Sequence, residues 1–235
     1  MAFPARTPIP GLGAAAVLPM INIAGCPISS AVLTLPSNQT TLAVPAGVAP
    51  VAIAMGVGTQ NYTCNATSST YVSAGAVADL FDISCLYNTP IFPRVQDDFY
   101  ALPQSVQTRI RAIASRTALM LGKHYFVTNP VTGSGIAPKF AQQANGGATF
   151  TVLTKKGGVK SQNVANVDLL QLSSIAGTWA STVFRVDTKA GQPPATCTAG
   201  TPDITVPYTA KYCTYPLSPF GVSSSDLLYR VLPIV

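Results

Sequence analysis

The sequence predicts an all-β fold, a sandwich or barrel of roughly ten short strands with one added α-helix at about 104–121. Two observations carry that expectation. Short apolar and β-branched runs recur between turn residues along most of the chain, and a single stretch shows helical periodicity. No internal repeat or low-complexity linker divides the 235 residues. Residues 1–25 therefore read as an extended N-terminal segment and 26–235 as a single β-rich domain.

The first runs are "AVLTL", "TTLAV", "VAIAMGV", "TYVS" and "ADLFDI". The helix is "PQSVQTRIRAIASRTALMLG", with Pro103 at its start and Gly122 as its stop. Val106, Ile110, Ile113 and Leu121 recur at helical spacing and predict its buried stripe. Strands then resume with "HYFVT", "TFTVLT", "VDLLQL", "WASTVFRVDT", "TVPYTAKYCTY" and "LLYRVLPIV". Between two of them "TKKGGVK" predicts a hairpin, with Gly157 and Gly158 supplying the positive φ of a tight turn.

Charged residues make up only 9% of the chain, no glutamate occurs, and nothing between Arg6 and Asp79 carries a charge. The prolines of this uncharged region break every stretch near the ~20 apolar residues that a membrane helix needs. No membrane span is expected. The apolar "GLGAAAVLPMINIAGC" is similar to a lipoprotein cleavage box, but Pro19 interrupts it and only Arg6 precedes it as a positive charge. An export signal outside this numbering, with Met1 opening a mature chain, is the expectation. The net charge of +6 would attract anionic partners, although its simpler use is solubility.

"VAIAMGVGTQNY" raises the question of a nucleotide-binding loop. A dinucleotide fingerprint needs a third glycine and a following helix. Here Asn61 stands in place of that glycine, and "YTCNATSSTY" has strand and turn chemistry. Gly56 and Gly58 instead mark a bulge or a close backbone approach, and no cofactor is expected.

Three acceptor sequons, at Asn38, Asn61 and Asn65, accompany five cysteines: Cys26, Cys64, Cys85, Cys197 and Cys213. With one histidine and no Cys-x-x-Cys, a zinc site of the usual kind is disfavoured, and no metal site is expected. Disulfides in a secreted glycoprotein are the natural use. Cys197 and Cys213 bracket a Thr/Pro/Gly-rich loop whose closure would stabilise by about 3 kcal/mol on the chain-entropy model. Of the other three, two pair and one is left over, in a combination the spacing leaves open.

Catalytic options are few. His124 is the sole histidine, so a triad must be built on it with Asp82 or Asp187, and no Gly-x-Ser-x-Gly elbow occurs. A hydrogen-bonded structural histidine is the simpler reading. Paired acids for glycoside hydrolysis are limited to Asp97-Asp98, in a turn-like stretch, and to Asp79 and Asp82, whose spacing puts them on opposite strand faces. Arg109, Arg116 and Lys123 recur along one helix side, and Lys155, Lys156 and Lys160 decorate the hairpin. Solvated charge accounts for both groups, and no nucleic-acid partner is expected. Tyr208, Tyr212 and Tyr215 cluster near the C-terminus; Tyr208 and Tyr212 share a strand face, as core or as a sugar platform.

"GVGTQNYTC", "LFDIS", "GKHYF", "FRVDTKAGQPP" and "VPYTAKY" resemble, in order, the signature blocks of secreted fungal proteins with bacterial relatives, catalogued as domain of unknown function 3455. The likeness runs from about Cys26 to Tyr215. It implies an extracellular β-rich domain and no established activity. Its Gln-x-Tyr-x-Cys block matches Gln60, Tyr62 and Cys64, and it implies a Cys26–Cys85 pair with Cys64 as the odd thiol.

Three functions remain. The first is a secreted, non-catalytic domain at the cell wall or surface, binding polysaccharide or another anionic or neutral glycan through Gln60, Tyr62, Tyr208 and Tyr212. The alternative is an extracellular enzyme with a pocket around His124, Gln60, Tyr62 and Arg185. The third is a storage or coat protein.

Overall fold

The computed structural model describes residues 25–217. Within them the chain forms one closed antiparallel barrel of eight strands. These are β1 Ala52–Asn65, β2 Thr70–Asp82, β3 Met120–Thr128, β4 Ile136–Gln142, β5 Phe150–Val159, β6 Leu169–Gly177, β7 Thr182–Ala190 and β8 Ile204–Tyr215. Each strand pairs with the next, and β8 returns to β1 in register from Ala52↔Thr214 to Tyr62↔Ile204. Closure gives every strand a neighbour on both sides, which is the favoured solution for an all-β chain of this kind. The expected N-terminal segment 1–25 and the C-terminal run "LLYRVLPIV" lie outside the described residues, apart from Gly25.

Two hydrophobic clusters form on the two faces of this one wall, as strand alternation requires. Ala54, Leu80, Phe140, Leu153, Val183 and Tyr212 point inward and fill the barrel. Ile53, Met55, Val57, Phe81, Phe184 and Val186 point outward. A segment before β1 covers that outer face with Ile28, Ala31 and Leu42, joined by Phe99 from a helical insertion. The insertion comprises 3-10 turns at Ser84–Leu86 and Phe92–Arg94, then α1 Val95–Ala101 and α2 Gln104–Ala114.

Several elements differ from the expectation. "AVLTL" and "TTLAV" form no strand; they run as an irregular strap over the outer wall, where Gln171 bonds both the N–H and the carbonyl of Ala43. The helix expected at about 104–121 is α2, which ends at Ala114, and a second helix, α1, precedes it; the two are separated at Leu102, whose extended backbone precedes Pro103. The expected apolar stripe faces water: Val106, Ile110 and Ile113 are 38%, 40% and 69% exposed, and Leu121 belongs to β3. Arg116 and Lys123 also fall beyond the helix, so the basic stripe is not a helix face.

"TKKGGVK" is no hairpin. All of it but Lys160 lies inside β5, where the register with β6 slips between Lys155 and Gly157, a bulge. A Cβ on Gly157 would come within 2.9 Å of the Thr41 carbonyl oxygen, so the glycine lets the strap cross the strand. β4, "IAPKFAQ", went unpredicted because Pro138 interrupts it; this proline stands just past the last β4–β5 pair, Lys139↔Val152.

The disulfides are Cys26–Cys85 and Cys64–Cys197. The expected Cys197–Cys213 bridge is absent. Cys213 faces outward from β8 into the covered wall and is a buried free thiol, whereas Cys197 lies in the β7–β8 connection near the far end of β1. Cys64 is accordingly not the odd cysteine.

Candidate functional site

At one end the barrel is not filled. A cavity of about 470 Å³ opens there, lined by residues of β1 to β7 and of β8, within the size range of small-molecule sites. The β4–β5 ladder covers only Lys139–Ala141 against Phe150–Val152, so the strands part beyond it. Ile136 to Pro138 and Leu153 to Lys155 line the cavity along that gap. Phe126, Leu153, Val167, Leu170 and Leu172 give it apolar walls.

His124, Gln60, Tyr62 and Arg185 all line this cavity, each from an inward position of its strand. None hydrogen-bonds another. His124 is buried, stacks on Phe140 at 4.3 Å between ring centroids, and donates from Nδ1 to the Lys139 carbonyl at 3.1 Å. That donation leaves Nε2 as the lone-pair nitrogen, without a partner among the described residues. Burial, opposed by the Lys139 hydrogen bond and aided by the Arg185 charge, brings the imidazole pKa down to about 4. The ring is neutral at physiological pH.

Arg185 donates from Nε and Nη2 to the Asp168 carbonyl at 3.0 and 2.9 Å and forms no ion pair among the described residues. Tyr62 donates to the Gly191 carbonyl at 2.8 Å, and burial raises its pKa. Gln60 is 6% exposed, and its amide nitrogen has no hydrogen-bond partner among the described residues. The amide lies close enough to Tyr208 to lower that phenol's pKa slightly, but without a well-formed bond. Unsatisfied buried donors are rare in native interiors, and this one faces a cavity.

Tyr208 and Tyr212 do not form an exposed platform. Both are 1% exposed, their hydroxyls share a hydrogen bond of 2.8 Å, and burial raises both pKa values. Tyr212 forms part of the cavity wall. Above its ring passes Gly56, where a Cβ would come within 2.4 Å of Cε2. A Cβ on Gly58 would lie 1.8 Å from the Val77 carbonyl oxygen. The two glycines of "GVG" thus serve close approach inside a strand.

The carboxylates proposed for catalysis are engaged elsewhere. Asp79 pairs with Arg111 at 2.7 Å, and Asp82 accepts from the Gly25 and Ser84 amides. Asp97 and Asp98 sit in the first turn of α1, not in a turn, and pair with Lys189 and Arg94. Asp187 pairs with Lys211 at 2.8 Å, so neither Asp82 nor Asp187 reaches His124. Sequence reasoning missed Asp168, Gln192, Asn129 and Lys155 as lining residues. Their closeness depends on barrel closure, which no local signal reports. His124 and Asp168 are the lining residues of metal-ligand type, and no group of three such side chains gathers among the described residues.

A second cavity of about 500 Å³ lies between the strap and the outer wall, beside Leu33, Phe92 and Lys211. The Lys211 amine is engaged there by Asp187, the Pro93 carbonyl and the Phe92 ring. That cavity is a seam between layers, with its one buried charge already satisfied.

A family model described as Protein of unknown function (DUF3455) matches residues 45–216. The chain belongs to this family. No curated protein and no solved structure matches it. The DUF3455 match spans the whole barrel, from just before β1 to the end of β8, and so includes every wall of the cavity. The strap up to Val44, with Cys26 and its disulfide to Cys85, begins before it.

Proposed function

We propose that this DUF3455 protein is a secreted, non-catalytic binding protein that holds a small molecule in the mouth of its barrel. The observation that carries the reading is the cavity itself: apolar walls with a few polar groups that the fold leaves free, above a packed floor. Eight strands enclose an interior of about the size that takes side chains or one small ligand, and here the floor is filled while the mouth is open. Two disulfides are compatible with an extracellular protein, and Asn38 and Asn65 are exposed sequons, with Asn61 half-buried on β1. Any cell-wall or glycan role would run through this cavity, because Tyr208 and Tyr212 present no outer face.

The test uses N-phenyl-1-naphthylamine, a neutral apolar fluorophore whose emission rises on leaving water. Binding should be saturable at one site per chain. Ser73 is an exposed residue on the cavity rim, so Ser73→Trp should block entry and weaken binding at least about tenfold without unfolding the barrel. Equal binding by both proteins would remove the cavity as the site.

A further inference from the structure

The polar side of the cavity has a chemical sign. Arg185 places a guanidinium there whose bonds to the Asp168 carbonyl engage Nε and Nη2; it also lies close enough to the Tyr212 hydroxyl to lower that phenol's pKa, and Nη1 makes no well-formed hydrogen bond among the described residues. A guanidinium has five N–H donors and no acceptor, and it suits planar oxyanions. Gln60 adds the amide nitrogen noted above, buried and without a bond partner among the described residues. Two side chains from different strands therefore present donors without a well-formed bond to one apolar-walled space, one of them charged.

Other charges around the cavity do not cancel this. Lys155 is a second cation at the rim. Among the described residues Asp168 is the one lining carboxylate; its Oδ2 lies 3.6 Å from Lys160, and its Oδ1 is buried without a hydrogen-bond partner there. The effect on neighbours shows which charge dominates. Arg185 lowers the pKa of His124, Tyr208 and Tyr212, and at Tyr62 its influence exceeds the opposing one of Asp168. His124 is neutral and contributes no charge of its own.

We infer that the occupant of the barrel mouth is a small organic acid, its carboxylate received by Arg185 and the Gln60 amide nitrogen and its apolar body lying against Phe126, Leu153 and Leu172. This rests on the cavity being a binding site, and it adds the substrate class. A carboxylate supplies the acceptors both donors lack, and hydrogen bonds to charged groups contribute more than neutral ones. An amine would meet Arg185 with like charge, and an alcohol would leave the guanidinium without an anion.

The experiment measures calorimetric affinity at pH 7 for three probes with one body and three head groups: 3-phenylpropanoate, 3-phenylpropan-1-ol and 3-phenylpropan-1-amine. Binding of N-phenyl-1-naphthylamine is followed in parallel on the same disulfide-bonded protein. The acid should bind about tenfold or more tightly than the alcohol, and the amine least. Arg185→Gln should bring the acid-to-alcohol ratio close to one. Gln60→Glu, which keeps size and shape but adds a negative charge, should do the same and serves if the arginine variant fails to fold. Thermal unfolding checks both variants. If the fluorophore binds while acid and alcohol bind equally, the head-group assignment is overturned and the cavity stands. If neither the fluorophore nor any of the three probes binds, the cavity reading itself is overturned.

Discussion

His124 is buried against Phe140, Phe126 and Tyr212, with Arg185 the charge that bears on it, and its folded pKa is lowered to about 4. The unfolded chain binds a proton near the ordinary histidine value of about 6.5, while the folded chain does not. Stability from this group is therefore whole above about pH 6.5 and falls as pH drops toward 4, by about 3 kcal/mol across that window. His124→Gln, which retains a donor for the Lys139 carbonyl, should lose that part of the slope; urea unfolding of both proteins from pH 7 to 4 measures the difference. Parallel curves would show that the imidazole does not resist protonation. At this scale the sequence was informative where chemistry is rare. A lone histidine, a Gln-x-Tyr block and a Gly-x-Gly that fails as a nucleotide loop can each be found by inspection. The Cys26–Cys85 pair implied by the resemblance is present, but the Cys64–Cys197 pair could not be found that way. Cys197 and Cys213 are close along the chain, but β8 carries Cys213 to the outward face while Cys64 arrives from β1 beside Cys197. That outcome depends on strand parity and closure, not on spacing.

The helical insertion shows the same limit at the level of elements. Spacing alone assigns Val106, Ile110 and Ile113 to a buried face, yet the contacts of α2 with the rest of the protein run through other residues. Arg111 reaches Asp79 of β2, Gln107 donates to the carbonyls of Tyr100 and Leu102, and Ala114 is buried. An ion pair and a helix-to-helix cap set the rotation of α2 over an apolar stripe that periodicity alone favours burying. Ile113→Glu should therefore change stability by less than about 0.5 kcal/mol, as surface substitutions do, where a core isoleucine would cost several times more. A loss above about 2 kcal/mol in urea unfolding would place that residue against a partner. Strands were legible where β-branched runs are long, as in β1, β5, β7 and β8. They were not legible where a proline interrupts the run, as in β4, and a β-bulge at Gly157 imitates a turn because both call for glycine.

The whole molecule is one wall with two separately packed faces. Inside, Leu80, Phe140, Leu153 and Tyr212 close the floor beneath the cavity; outside, the strap and the insertion cover Met55, Phe81 and Phe184. The strap makes little ladder of its own. It is held by apolar contacts, the paired bonds from Gln171 to Ala43, a bond from the Val32 amide to the Tyr87 hydroxyl, and the Cys26–Cys85 disulfide. That disulfide joins positions 59 residues apart, and the chain-entropy model assigns such a crosslink about 4 kcal/mol. Replacing both cysteines with serine should lower unfolding stability by about that amount. The cavity, however, is walled by barrel strands and their inward side chains, not by the strap. Fluorophore binding to the folded double variant should accordingly stay within about twofold of the parent, well under the tenfold that 1.4 kcal/mol would produce. A stability loss with binding retained would show that the two faces support different tasks. Loss of binding in a variant still folded by circular dichroism would mean that the strap shapes the mouth through the wall, and the separation of layers would fail.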